Sequence, residues 1–294
     1  MLFPTLLALV PSFFPVQDKD HYERDCFHPG AEGFPHEREY PSYPAEIRRW
    51  PGSFILDDVT VDLTPAAEKV WRYMSFARFL WLLQKKQLWL ARADLLGDPW
   101  EITLAGDQLQ HVISRHPIAP LEEPHILRET AMERSERIVK MWRRRTYVNC
   151  WGASDHESHA LWRIYCRSAE GIALQTTLAK LKKSVGNLPV YRVAYQVPGS
   201  IKQTPSLSDL VAKKRPMFAY EQEIRVVFFV DADDDKETIG QGVAWDPEKI
   251  VESIRVHPEA DDSFIETATA VVEHYAPAMK GRVARSVMNE PPPF

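Results

Sequence analysis

The chain has 294 residues and a net charge of −5, from 36 basic and 41 acidic side chains. That balance excludes a global basic surface for nucleic acid. With 45% hydrophobic and 26% charged residues the chain can bury a sizeable core, and three cysteines are too few, and odd in number, for a disulfide scaffold.

In chain order, residues 1–65 hold nine of the 23 prolines. The opening MLFPTLLALVPSFFPV is apolar, but Pro4, Pro11 and Pro15 interrupt it and no basic residue precedes Lys19. Neither a secretory signal nor a span of roughly 20 apolar residues is therefore expected. Residues 1–65 read as an extended Pro-rich arm that docks on the body, a partner or a second copy, and 66–294 as one domain. A cytoplasmic setting with reduced cysteines is the default.

Thr64-Pro65 is a helix-start signal. KVWRYM (69–74) reads as a strand. Ser75 then caps a helix to about Lys86, with Phe76, Phe79, Leu80 and Leu83 on one face. LWLARA (88–93) is a strand ended by Gly97-Asp98-Pro99, and a long polar helix over about 122–145 ends in Arg143-Arg144-Arg145, which suit its dipole. YVNCWG (147–152) is a strand, and Ser154 to Glu157 read as a capping box opening the helix HALWRIYCR (159–167). GIALQTT (171–177) and VYRVAYQV (190–197) are strands with a short lysine-bearing helix between them. Ser206 to Asp209 begin a helix running into Lys213-Lys214-Arg215. EIRVVFFVD (223–231) and SIRVH (253–257) are strands, and a helix closes the pattern from about Asp262 to Tyr275. Without a βαβ rhythm or a glycine fingerprint, the class is α+β: a central mixed or antiparallel sheet flanked by helices.

Four segments in this order, WRYMSFARFLWLLQKKQLWLARADLLGDPWE (71–101), YVNCWGASDHESHALWRIY (147–165), GIALQTT (171–177) and KRPMFAYEQEIRVVFF (214–229), together resemble the mainly bacterial family DUF2971. The closing strand and helix (250–276) extend the resemblance, which covers about residues 70–276. It implies a shared fold and names no activity.

The most chemically suggestive feature is Glu221-x-Glu223 at a strand start. Spacing of two along a strand puts both carboxylates on one face, where each perturbs the other's proton. Seven of the nine tryptophans lie between Trp71 and Trp162. Four of them, Trp71, Trp100, Trp151 and Trp162, stand beside Arg72, Glu101 and Glu157, as the walls of an aromatic pocket would.

The order Arg72, Ser75, aromatic middle, glutamate pair is similar to that of ADP-ribosyltransferase folds. The similarity implies NAD as co-substrate, bound by Arg72, Ser75, Trp151 and Tyr165, with Arg72 on phosphate and Glu223, with Glu221, acting on the ribose or nucleophile. The central Ser-Thr-Ser of those folds is missing; Gln175-Thr176-Thr177 is a loose substitute.

Two other readings remain. Asp98, Glu101, Glu221 and Glu223 would hold a divalent cation in a metal-dependent phosphodiesterase or nuclease. Alternatively, the acidic and basic residues form a buried ion-pair network in a non-catalytic binding or sensing module. Cys150, His156, His159 and Cys166 match no common zinc spacing, so no bound metal is expected. Convergence of Arg72, Tyr165, Glu221 and Glu223 on one place is the condition for any single-site enzyme.

Overall fold

Hydrophobic alternation and helical periodicity resolve into eleven strands and seven α-helices in the computed structural model, which describes residues 66–104, 108, 131–197, 206–230 and 238–292. The arm, the Thr64-Pro65 helix start and the first part of the 122–145 helix lie outside these residues. The elements are β1 (Lys69–Ser75), α1 (Phe76–Lys85), β2 (Gln87–Arg92), α2 (Ala131–Arg145), β3 (Thr146–Ala153), α3 (His159–Tyr165) and β4 (Gly171–Thr177). They continue with α4 (Leu178–Ser184), β5 (Val190–Arg192), β6 (Ala194–Tyr195), α5 (Leu207–Val211), β7 (Lys213–Lys214), β8 (Glu223–Phe229) and β9 (Gly240–Ala244). The last are α6 (Pro247–Ile250), β10 (Ser253–Val256), α7 (Asp262–Tyr275) and β11 (Val283–Arg285). The fold is α+β with a mixed central sheet.

The main sheet runs β11-β10-β4-β1-β3-β2-β9, with β8 on β3 and β5 on β8. All pairs are antiparallel except β10 with β11, whose parallel pairing needs a crossover; α7 lies in that connection. β8 covers one edge of β3 from Thr146 to Gly152. Consequently β1 and β2 share the other edge: β1 pairs at Gly152 and Ala153, β2 at Tyr147 and Val148. Between them a notch is bridged by side chains. Asn149 Nδ2 donates to the Trp89 carbonyl at 2.7 Å, and Arg72 Nη1 donates to the Cys150 carbonyl at 2.6 Å.

One sheet face carries Val70, Met74, Trp151, Ile172, Leu174, Ile224 and Val226 against α1, α4 and α7, through Phe79, Leu83, Leu181, Phe264 and Val272. The other face carries two separate apolar patches. Val148, Tyr191 and Val227 pack on Trp142 of α2 and Leu210 of α5, whereas Trp71, Tyr73 and Ala173 pack on Leu161 and Trp162 of α3. Alternation from Ile224 and Val226 turns Glu223 and Arg225 to this second face. Burying a Leu or Phe side chain stabilises by roughly 1.5–3 kcal/mol, so these patches fix the helices around whatever polar groups lie beside them. Among the described residues no helix is long and apolar enough to cross a membrane.

Local structure departs from expectation in four places, the first being VYRVAYQV, which splits at Val193 into β5 on β8 and β6 on β7, in separate sheets. Glu157 forms no capping box: Ser158 is the N-cap of α3, its hydroxyl accepting from Leu161 N. The Glu157 carboxylate instead accepts from Trp162 Nε1 (3.0 Å), Ser286 Oγ (2.6 Å) and Val287 N (3.0 Å). The helix at Ser206, with its capping box, ends at Val211, and Lys213–Lys214 pair with β6. Finally, Glu221 ends a 3-10 turn, Pro216–Glu221, rather than starting the strand.

Candidate functional site

A buried guanidinium is the anchor. Arg225 is 1% exposed, and each of its five N–H groups has an acceptor. Nε and Nη2 donate to Glu223 at 2.9 and 3.0 Å; Nη1 and Nη2 donate to Glu101 at 2.8 Å each; Nη1 also donates to the Val211 carbonyl at 2.9 Å. Such bidentate forks are the strong geometry for arginine and carboxylate. Lys214 completes the cluster, its Nζ lying 2.6 Å from Glu221, 3.3 Å from Glu223 and 3.6 Å from Glu101.

Burial by itself would raise the Glu223 carboxyl, but Arg225 and Lys214 outweigh it and hold the group down to about 2. Burial raises Glu221, and Lys214 only partly offsets the effect. For Lys214 burial opposes the charge, yet Glu223, Glu101 and Glu221 together push its ammonium up. Two carboxylates separated by one residue are thereby driven apart, the pattern that assigns different roles to neighbouring acids.

The two acids meet through a turn, not through strand alternation. Gln222, between them, is left-handed at φ 42°. Ile102, directly after Glu101, also has a positive φ of 51°. Left-handed backbone costs a non-glycine residue of the order of 1–3 kcal/mol, most for a β-branched side chain. Both strained residues adjoin acids of the cluster. Close approach helps as well: a Cβ on Gly152 would stand 2.9 Å from Leu161 Cδ1 and 3.1 Å from the Glu221 carbonyl, so β3 passes tightly beneath the turn and α3.

Around this floor lies an aromatic rim. Tyr165, at the end of α3 and 42% exposed, donates its hydroxyl to Glu221 at 3.4 Å. Tyr220 is 46% and Trp100 47% exposed. The Phe218 ring lies 4.7 Å from Lys214 Nζ. Tyr195 accepts from Glu223 N at 2.8 Å, and burial raises its phenol to about 12.

Of the residues expected at the site, Tyr165, Glu221 and Glu223 are brought together, whereas Arg72 stands opposite Leu174 in the β1–β4 register, on the Val70–Met74 side of β1. Arg72 is oriented by its bond to the Cys150 carbonyl, opposite Arg225 in the β3–β8 register, and lies within electrostatic reach of Tyr165 and Glu223. Burial lowers its guanidinium to about 10. Among the described residues no protein acceptor faces its Nε or Nη2. Ser75 and Trp151 are not brought to the cluster. Ser75 stands at the N-cap of α1 and makes no side-chain capping bond. Trp151 is 1% exposed in the core of the opposite face, its indole donating to Asn149 Oδ1 at 2.7 Å. Strand alternation places Trp151 away from Cys150, and this corrects its assignment to the pocket. Glu223 is 4% exposed with both oxygens held by Arg225 and Lys214; Glu221 is 7% exposed, with Oε2 on Lys214 and Oε1 taking a longer 3.4 Å bond from the rim residue Tyr165.

The four acids of the cation reading already have cations. Asp98 is held by Arg215, Glu101 and Glu223 by Arg225, and Glu221 by Lys214. Among the described residues no group of three or more His, Cys, Asp or Glu is placed to hold a metal ion. Gln175 and Thr176 are committed to Glu252 and the Ile250 carbonyl at β4. The Cys150 thiol is pushed well up by burial beside Glu223, which removes the thiolate a nucleophile needs.

Lys214, Arg215, Phe218 and Tyr220 carry much of the site and were absent from the expected set. Their signal is the run KRPMFAYEQE: basic residues before a proline, then aromatics, then the acid pair. No family model, no curated protein and no solved structure matches this chain.

Proposed function

We propose that this chain is a nucleotide-handling enzyme of ADP-ribosyltransferase type, using NAD at the rim of the buried cluster with Glu221 as its working carboxylate. The observation that carries the reading is the Glu221 carboxyl, raised by burial and adjoining Tyr165 at the exposed aromatic rim. The exposed rings of Tyr165 and Tyr220 receive the nicotinamide. The C1′–N bond breaks with its electron pair leaving on neutral nicotinamide. The cationic ribose that remains is stabilised by Glu221. An acceptor or water then forms the new bond to C1′ and gives up its proton, for which a carboxylate of raised proton affinity is the suitable base. Glu223 and Arg225 are positioning residues.

The segments that resemble DUF2971 supply β1, β3, α3, the Pro216–Glu221 turn and β8, which bear most of the cluster. A reducing cytoplasm suits the free thiols of Cys150 and Cys166.

The test is incubation with NAD, with and without cell extract as a source of acceptor, while nicotinamide release is measured. Release is expected from the native chain. Glu221→Gln is expected to lower it by about 100-fold or more, the scale of losing a general base. Absence of release from the folded native chain under both conditions removes the reading.

A further inference from the structure

One guanidinium at the rim is set against two aromatic rings. The Arg215 Cζ lies 5.9 Å from the centre of the Trp100 ring and 5.6 Å from that of Phe218. Asp98, itself 5% exposed, grips it bidentately: Nε donates at 3.1 Å and Nη2 at 2.7 Å. The same carboxylate accepts from Trp100 N at 3.0 Å, so Asp98 sets the indole-bearing turn and the guanidinium together. Among the described residues Arg215 Nη1 has no protein acceptor.

The surface of this assembly is open. Trp100 is 47%, Tyr220 46% and Met217 62% exposed. Apolar side chains exposed singly are normal, but an indole exposed while its turn and its neighbouring guanidinium are both fixed by one carboxylate is a prepared contact surface. Cation–π contact alone would be satisfied by a buried pair. An open indole beside a pinned guanidinium is instead the pair of surfaces on which nucleobases stack. Because Asp98 already immobilises Arg215, a ligand does not have to order that side chain on binding.

The platform connects to the ionic floor. Glu101, three residues after Asp98 on the same loop, receives Nη1 and Nη2 of Arg225. A stacking surface with the Arg215 Nη1 donor beside it, joined to the ionic cluster through the Asp98–Glu101 loop, complements the base and phosphate of a nucleotide. We propose that Trp100 and Arg215, backed by Phe218, form the base-binding subsite of this site, taking the adenine end of its ligand. The identity of that ligand as an adenine dinucleotide rests on the function proposed above.

The experiment is calorimetric titration of the full chain with ADP-ribose, AMP and ribose 5-phosphate, none of which contains nicotinamide. ADP-ribose and AMP are expected to bind, and ribose 5-phosphate at least tenfold more weakly. Trp100→Ala should weaken ADP-ribose by about 10- to 100-fold, the range of one lost base stack. Trp100→Phe should restore most of it. Arg215→Lys, which keeps the charge near Asp98 and loses the plane, should fall between. Equal affinity of native protein and Trp100→Ala, equal binding of ribose 5-phosphate, or no nucleotide binding by the native chain each overturns the subsite. Binding of a single-stranded oligonucleotide without mononucleotide binding overturns it too. Base-dependent ADP-ribose binding without nicotinamide release leaves the subsite standing and removes the transferase reading, so the two failures are distinguishable.

Discussion

Two glutamates on the same side of the sheet are buried to similar depth and satisfied in opposite ways. Glu157 takes its bonds from an indole, a hydroxyl and a backbone amide, and its contact with Arg255 Nε is a distant 3.9 Å. Glu223 takes its side-chain bonds from Arg225 and Lys214, inside a set of three acids and two cations. Neutral donors tie Glu157 to the segment after β11 and to α3, a structural pin. The ionic set is strained at Ile102 and Gln222, ringed by exposed aromatics, and leaves one acid, Glu221, with a raised proton affinity. Burial alone therefore does not mark a site; unequal proton affinities between adjacent acids do.

Breaking the ionic set should produce the largest effect. Arg225→Met keeps much of the volume but leaves Glu101 and Glu223 buried without their fork, for a loss of about 3–5 kcal/mol in urea unfolding. A loss under about 1 kcal/mol would mean that the acids simply protonate and that the network is not the scaffold of the site. Glu157→Ala should cost less, about 1–3 kcal/mol, because it strands neutral donors only. Its distinguishing mark is faster amide hydrogen exchange at Val287 and Met288 with unchanged exchange along β8. Equal loosening of β8 would merge the two regions into one unit.

The smallest effect, and the sharpest, is in pH. Glu223 ionises more readily in the folded chain, so its contribution is present above the ordinary carboxylate range and is lost as pH falls towards about 2. Glu221 works in the reverse sense. Raised by burial, it binds a proton more tightly when folded, so it costs stability at neutral pH and that cost is relieved as it protonates. Melting temperature should rise on mild acidification and then fall. Glu221→Gln should abolish the rise and keep the fall; a monotonic fall in the native chain would show that the two acids are not differentiated.

Much of the scaffold was legible in the residues. GIALQTT and the helix from Asp262 to Tyr275 match β4 and α7, since alternation and helical period there agree with their packing. Period two along EIRVVFFVD puts Glu223 and Arg225 on one face, in keeping with their pairing. Less legible was whatever depends on distant partners. Lys213-Lys214-Arg215 resembles the cationic end of a helix, and only contact with residues over a hundred positions away, Glu101 for Lys214 and Asp98 for Arg215, turns it into part of a site. Glu157 has the spacing of a capping box, but Ser286, 129 residues later, wins its carboxylate. Tryptophan density misled for a simpler reason. Trp71 and Trp162 fill the patch beside α3 and Trp151 fills the opposite core, which leaves Trp100 as the one of the four with an open face.

The notch in the sheet has a mechanical meaning. β3 and β8 form a spine joined along seven residue pairs, whereas the wings led by β1 and β2 each hang from β3 by two. The gap falls at Asn149–Trp151, and Arg72 spans it from the β1 wing to the Cys150 carbonyl of the spine. Without Arg72 the Cys150 carbonyl, which lies between the two short pairings, would lose the side-chain donor that bridges them.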